Sequence, residues 1–134
     1  MRWMGGAALK PFARPQRWLA TWWTMVFAVI VGSMLPVLLL PHMPPGGDKV
    51  QHLLGYALLS AGAVQVFASR AALLRAAIGL IVMGVLIEVA QGTLTDSRSM
   101  DAMDALANTV GVLLGWSTLL LPMRDALLRY ESKP

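Results

Sequence analysis

One carboxylate lies inside the long apolar run that extends from Leu73 to Gly92: Glu88. A charged side chain at membrane depth costs upward of about 3 kcal/mol, so it marks a site unless neighbours satisfy it. Gln91 follows one helical turn later. The chain then crosses a polar turn with Asp96, Arg98 and Asp101 and re-enters apolar sequence behind Asp104 and Asn108. Upstream, Asp48, Lys49, His52 and Tyr56 open another apolar run. His52 or Glu88 has the chemistry of a general acid or base. Arg98 presents a planar fork of donors suited to phosphate or carboxylate, and Lys49 is a second cation. Glu88, Gln91 and Asn108 could orient a bound anionic group. Asp48, Glu88, Asp101 and Asp104 with His52 form an oxygen-rich set that suits Mg, Ca or Mn better than structural zinc. No close ligand spacing such as H-E-x-x-H accompanies it, and no other cofactor is implied. Ser97 and Ser99 are hydroxyls without an evident base.

Each of these residues also has a plain structural role. Glu88 can be a buried acid held by a neighbouring helix, and Arg98 its salt-bridge partner or that of Asp101. His52 and Tyr56 can be interfacial side chains with an apolar body and a polar tip. Asp48 and Asp101 can cap the helices that follow them.

The elements that must carry these groups are apolar and helical in pattern. The 134 residues are 57% hydrophobic and 13% charged, with a mean hydropathy of +0.62. Soluble domains average about 25% charged. Cysteine is absent, which excludes disulfides, thiolate catalysis and sulfur-ligated metal. Residues 1–17 carry Arg2, Lys10, Arg14 and Arg17 without an acid and read as a mobile basic tail. A span from Trp18 to Leu40 follows, with Trp18, Trp22 and Trp23 at its start as an interfacial belt and a kink expected at Pro36. Pro41 to Gly47 is a loop. Further apolar runs extend from Val50 to Ala68, Leu73 to Gly92 and Ala105 to Leu121, each near the roughly 20 residues that cross a bilayer. The reading is an all-α, four-span bundle over residues 18–122, with a second tail at 123–134.

Lysine and arginine set the orientation. With the N-terminus cytoplasmic, nine lie inside, and only Lys49 and Arg98 lie outside. Both termini are then cytoplasmic. The pI near 10.1 is explained by topology, and nucleic acid is not called for, since no basic stripe interleaves with aromatics.

Helical phase predicts convergence. At about 100° per residue, His52, Gly55, Tyr56, Leu59, Gly62 and Ala63 share a face of span two. Ala77, Gly84, Glu88 and Gln91 share a face of span three, and Asp101, Asp104, Asn108, Gly111 and Gly115 a face of span four. Small residues below the polar ones let helices approach closely in lipid, and Gly111 and Gly115 have the G-x-x-x-G spacing. That spacing serves an internal contact or a homo-oligomer equally. The polar groups are expected to meet in a shallow pocket beneath the outer surface, with Gln65 lying off the packing face.

The pattern D48-K49-x-x-H52-x-x-x-Y56, E88-x-x-Q91 and R98-x-x-D101-x-x-D104-x-x-x-N108-x-x-G111-x-x-x-G115 resembles the VanZ-like family of small integral membrane proteins. The resemblance covers residues 48–115. It implies a bacterial cytoplasmic (inner) membrane protein associated with tolerance of the glycopeptide teicoplanin, and it specifies no reaction. The expected function is engagement of a lipid-linked or peptidoglycan-related envelope molecule. The rival readings are a hydrolase or transferase acting on a phosphorylated lipid, and a small proton-coupled transporter.

Overall fold

The computed structural model describes residues 8–36, 39, 42, 44–96 and 99–134. The protein is all-helical: α1 Pro15–Met34, α2 Gly47–Val66, α3 Arg70–Leu94, α4 Ala102–Trp116 and a short α5 Ala126–Glu131. Two 3₁₀ turns, Ser117–Leu120 and Pro122–Asp125, join α4 to α5. Two helices, Arg70–Leu94 and the helical run Ala102–Leu120, are long and apolar enough to cross a membrane. α1 opens on Pro15, Gln16 and Arg17, and α2 carries Asp48, Lys49, Gln51, His52 and Gln65, which lowers the hydropathy of both.

α2 and α4 form the most extensive helix pair, and small residues are the reason. A β-carbon added at Gly111 would lie 2.3 Å from the Leu53 carbonyl oxygen, and one at Gly115 would lie 2.2 Å from that of Ala57. The G-x-x-x-G face is therefore occupied within the chain. Ser60 locks the same seam by donating its hydroxyl to the Val112 carbonyl at 2.6 Å. α3 packs across α4, while α1 leans more sparsely on α2 and α3. The core holds Trp22, Tyr56, Leu59, Ala63, Leu80 and Val112. Outside it the helices present Phe27, Leu54, Leu58, Leu86 and Leu113, all exposed. An apolar exterior around a small core suits a lipid environment, where large apolar patches need no covering by water.

Several expectations change. The first helix ends at Met34 rather than running through a kink at Pro36. Leu35 is extended (φ −67°, ψ 146°), as the residue before a proline prefers. Trp22 is no part of an interfacial belt: it is 5% exposed and donates its indole N–H to the Leu59 carbonyl at 2.9 Å. Its ring meets Phe67 edge-on, with centroids 5.3 Å apart. Trp18 bonds to Glu131, and Trp23 alone of the three lies open. The fourth α-helix stops at Trp116, short of Leu121, and tightens into 3₁₀ turns before Pro122. Gly46, not Asp48, caps α2, with a left-handed φ of 80° that suits glycine. Asp101 does cap α4, accepting from the Met103 N–H at 2.8 Å.

The described part of the first tail is also more ordered than expected. Residues 8–14 are held at the end of α2: Lys10 N–H donates to the Val66 carbonyl at 3.0 Å, and Ala68 N–H to that of Ala8 at 2.8 Å. Lys10 is buried and pairs with Asp125 at 2.8 Å, while its ammonium also donates to the Arg124 carbonyl. Glu131 accepts from the Ala13 N–H and the Trp18 indole. Gln65 joins the same clasp, donating to the Met123 carbonyl at 2.8 Å and accepting from the Leu127 N–H at 3.0 Å. Arg14, Arg17, Arg70, Arg124 and Arg129 thus gather at one end of the bundle, and Asp48, Asp96, Asp101 and Asp104 at the other.

Candidate functional site

The acidic end is where the chemistry-bearing residues meet, and three helices build it. Asp48, Lys49, His52 and Tyr56 come from the first three turns of α2. Glu88 and Gln91 come from the last turns of α3. Asp101, Asp104 and Asn108 come from the start of α4. Arg98 and Ser97 lie outside the described residues.

From the surface inward, the first contact is an ion-pair cluster. Lys49 Nζ sits 3.0 Å from Asp101 Oδ2, 3.2 Å from Asp104 Oδ1 and 3.6 Å from Asp48 Oδ2. One ammonium between three carboxylates leaves the cluster acidic among the described residues. Lys49 therefore holds the helix junction together, and its charge is already matched inside the protein. Its ammonium bond is the largest influence holding the Asp101 carboxyl below its ordinary range, with the Met103 N–H adding to it.

Next below, His52 Nδ1 meets Asn108 Oδ1 at 2.9 Å, and its Nε2 lies 3.9 Å from Asp104 Oδ2. Both ring nitrogens thus face α4. Glu88 is 2% exposed, and its Oε1 accepts the Asp101 backbone N–H at 2.7 Å. The acid on α3 thereby fixes the turn that enters α4. Gln91, equally buried, reaches across to α1 and donates to the Ser33 carbonyl at 2.7 Å. It ties α1 to α3.

Deepest of all, Tyr56 and Asn108 converge on Gly84. A β-carbon there would come within 3.2 Å of the Asn108 amide nitrogen and 3.4 Å of the Tyr56 ring. Glycine at 84 thus suits the close approach of the two side chains, which would have to give by a few tenths of an ångström to admit a methyl group. Both residues are 1% exposed. Three polar atoms in this region are buried with no hydrogen-bond partner among the described residues: Tyr56 Oη, Glu88 Oε2 and Asn108 Nδ2. Turning the Asn108 amide over only exchanges which of its two atoms is left over. Folded proteins pair nearly all such groups, so three together from three helices form an unfilled hydrogen-bonding set.

The metal reading finds little geometry. Among the described residues no three of the carboxylates and imidazoles gather in a metal-holding arrangement. The physical reason is that Lys49 engages Asp101 and Asp104, while the Asp101 amide occupies Glu88.

A cavity of about 280 Å³ adjoins the cluster between α1 and α2, lined by Ala28, Val29, Gly32, Ser33, Gln51, His52, Gly55 and Tyr56. Ser33 and Gln51 escaped the sequence reading. Their signal was present, since Gly32-Ser33 interrupts the apolar half of α1 and Gln51 lies beside His52, but helical phase gave neither a partner.

Comparisons with protein-family models, with curated proteins and with solved structures find no match to this chain.

Proposed function

We propose that this chain is a VanZ-like, four-span protein of the bacterial cytoplasmic membrane that engages the polar part of a lipid-linked or peptidoglycan-related envelope molecule. Both termini are cytoplasmic in this reading, and the acidic end faces outward. The excess of arginine at the opposite end supports that orientation. The observation that carries the function is the set of buried atoms without a partner among the described residues: Tyr56 Oη, Glu88 Oε2 and the free amide atom of Asn108. A ligand presenting an acceptor and a donor side by side, as amides and sugar hydroxyls do, would complete them. Lys49 is consumed by Asp101 and Asp104, so capture of an anionic group falls to Arg98 in this proposal.

The enzyme reading is weaker. His52 has both nitrogens turned towards α4, where Asn108 and Asp104 face them.

The test is teicoplanin susceptibility of cells expressing Glu88→Gln and Arg98→Ala at wild-type membrane levels. Glu88→Gln keeps an acceptor for the Asp101 N–H but changes the free oxygen's chemistry, so the fold persists while tolerance falls. Wild-type tolerance in both variants would reduce the cluster to a structural junction.

A further inference from the structure

The Asn108 side-chain amide has two ends in two surroundings. Its Oδ1 lies 2.9 Å from His52 Nδ1. Its Nδ2 lies beside Gly84 and the Tyr56 ring, with no partner among the described residues. The residue is 1% exposed, so water does not compete for either end. His52 is therefore the one hydrogen-bond partner of that amide among the described residues. Which way round the amide sits follows from what His52 Nδ1 offers it.

A ring with a proton on Nδ1 donates to Oδ1 and leaves the NH2 group facing Gly84. A ring without it needs a donor, so the NH2 group turns to His52 and Oδ1 takes the other place. Asp104 selects the neutral form. Its Oδ2 lies 3.9 Å from His52 Nε2, while its Oδ1 is engaged by Lys49 at 3.2 Å. A carboxylate facing Nε2 favours the proton on that nitrogen. The neutral ring then presents a bare Nδ1, and the charged ring presents an N–H on both sides. The other ionisable groups around this pair are Asp48, Lys49 and Tyr56 on α2, Glu88 on α3 and Asp101 on α4. The stretch of α1 beside His52, residues 28–33, has none.

From this geometry we infer that His52 is the positioning residue of the polar cluster and sets its hydrogen-bonding sense. With a neutral ring, Asn108 shows the site a carbonyl oxygen in company with Glu88 Oε2, which suits an amino or amide N–H of the bound molecule. With a charged ring, Asn108 shows its NH2 group, and the same position takes a carbonyl or hydroxyl oxygen. One proton on His52 thus decides which face of an envelope molecule the cluster holds. That the cluster holds a ligand rests on the proposed function. The turning of the amide rests on the His52 contacts with Asn108 and Asp104.

The experiment is NMR spectroscopy of the full nitrogen-15-labelled chain in detergent micelles between about pH 5 and about pH 8, where imidazoles change charge. Ring nitrogen shifts report which of Nδ1 and Nε2 carries a proton at each pH. With the ring charged, a cross-peak is expected between the Asn108 NH2 group and the Gly84 α-protons, because Nδ2 then lies 3.2 Å from the β-carbon position of Gly84. With the ring neutral and protonated on Nε2, that cross-peak is lost. A scalar coupling across an N–H···N bond then links Asn108 Nδ2 to His52 Nδ1. Any other pairing of ring protonation and amide orientation overturns the inference. In His52→Gln, with its fold checked by circular dichroism, the Asn108 signals are expected to be the same at both ends of the pH range. A pH-dependent turn that persists in this variant also overturns the inference, since another group would then drive it. If the amide turns as described while Glu88→Gln leaves tolerance intact, the binding reading fails and the positioning role stands. If Glu88→Gln abolishes tolerance while the amide keeps one orientation in both ring states, the positioning role fails and the binding reading stands.

Discussion

Tyr56, Glu88 and Asn108 each bury a polar atom that nothing in the described protein satisfies. Stranding such a group costs about 1–3 kcal/mol, so a site that keeps three of them has given up stability for something else. Tyr56→Phe removes one stranded hydroxyl while preserving the ring that packs beside Gly84. Its expected effect on thermal unfolding in detergent is a stabilisation of about 1–3 kcal/mol. Its expected effect on teicoplanin tolerance is a clear loss. Equal tolerance in the phenylalanine variant would remove Tyr56 from the binding set. Glu88 differs, because one of its oxygens holds the Asp101 amide. Glu88→Ala strands that N–H and is expected to destabilise by about 1–3 kcal/mol, whereas Glu88→Gln is expected to lie close to wild type in the same unfolding measurement.

Contacts between elements make the sharpest contrast among the glycines. Gly111→Ala or Gly115→Ala must push α4 off the α2 backbone, since the new methyl would sit 2.3 or 2.2 Å from a carbonyl oxygen. A cost of about 1–3 kcal/mol is expected for each, while Gly55→Ala and Gly32→Ala are expected to be neutral or stabilising by up to about 1 kcal/mol. Chemical denaturation in mixed micelles checks the ordering, and equal effects at all four positions would refute the α2–α4 seam. The junction between α3 and α4 should respond to acid. Lys49 holds the Asp101 carboxyl below its ordinary value of 3.8. A depressed carboxyl contributes stability above that ordinary value and loses it as pH falls through the lower folded value. Unfolding midpoints are therefore expected to be flat near neutrality and to decline below about pH 4, with Asp101→Asn showing a shallower decline. The basic end follows the same sign, because Lys10 lowers the Asp125 carboxyl in the same way.

For the whole molecule, the two ends of the bundle carry opposite charge, and a clasp of Lys10, Gln65, Asp125 and Glu131 closes the basic one. The natural absence of cysteine makes orientation directly measurable. Asp96→Cys is expected to react with a membrane-impermeant maleimide added to intact cells, and Ser132→Cys only after permeabilisation. The reverse pattern would invert the bundle and place the polar cluster on the cytoplasmic side. Labelling of both positions from outside would be incompatible with the single span, α4, that separates them in this reading.

Periodicity and composition alone determined the all-helical character, the polar turn before α4 and the faces on which His52, Tyr56, Glu88, Asp104 and Asn108 lie. These are local properties: apolar runs broken by proline and glycine make helices, and a 3.6-residue repeat assigns each side chain an angle. Tertiary structure alone decided who pairs with whom. It gave Lys49 to Asp101 and Asp104, Glu88 to a backbone amide rather than to an ion partner among the described residues, and Gln91 to α1. It turned Trp22 into the core, ended the first helix at Met34, folded residues 8–14 and the C-terminal segment into one clasp and spent the G-x-x-x-G face on α2. An angle on a helix says nothing of which neighbour comes within 3 Å or where two helices stand apart. Ion pairs, orphaned atoms and the space between α1 and α2 are set by those separations.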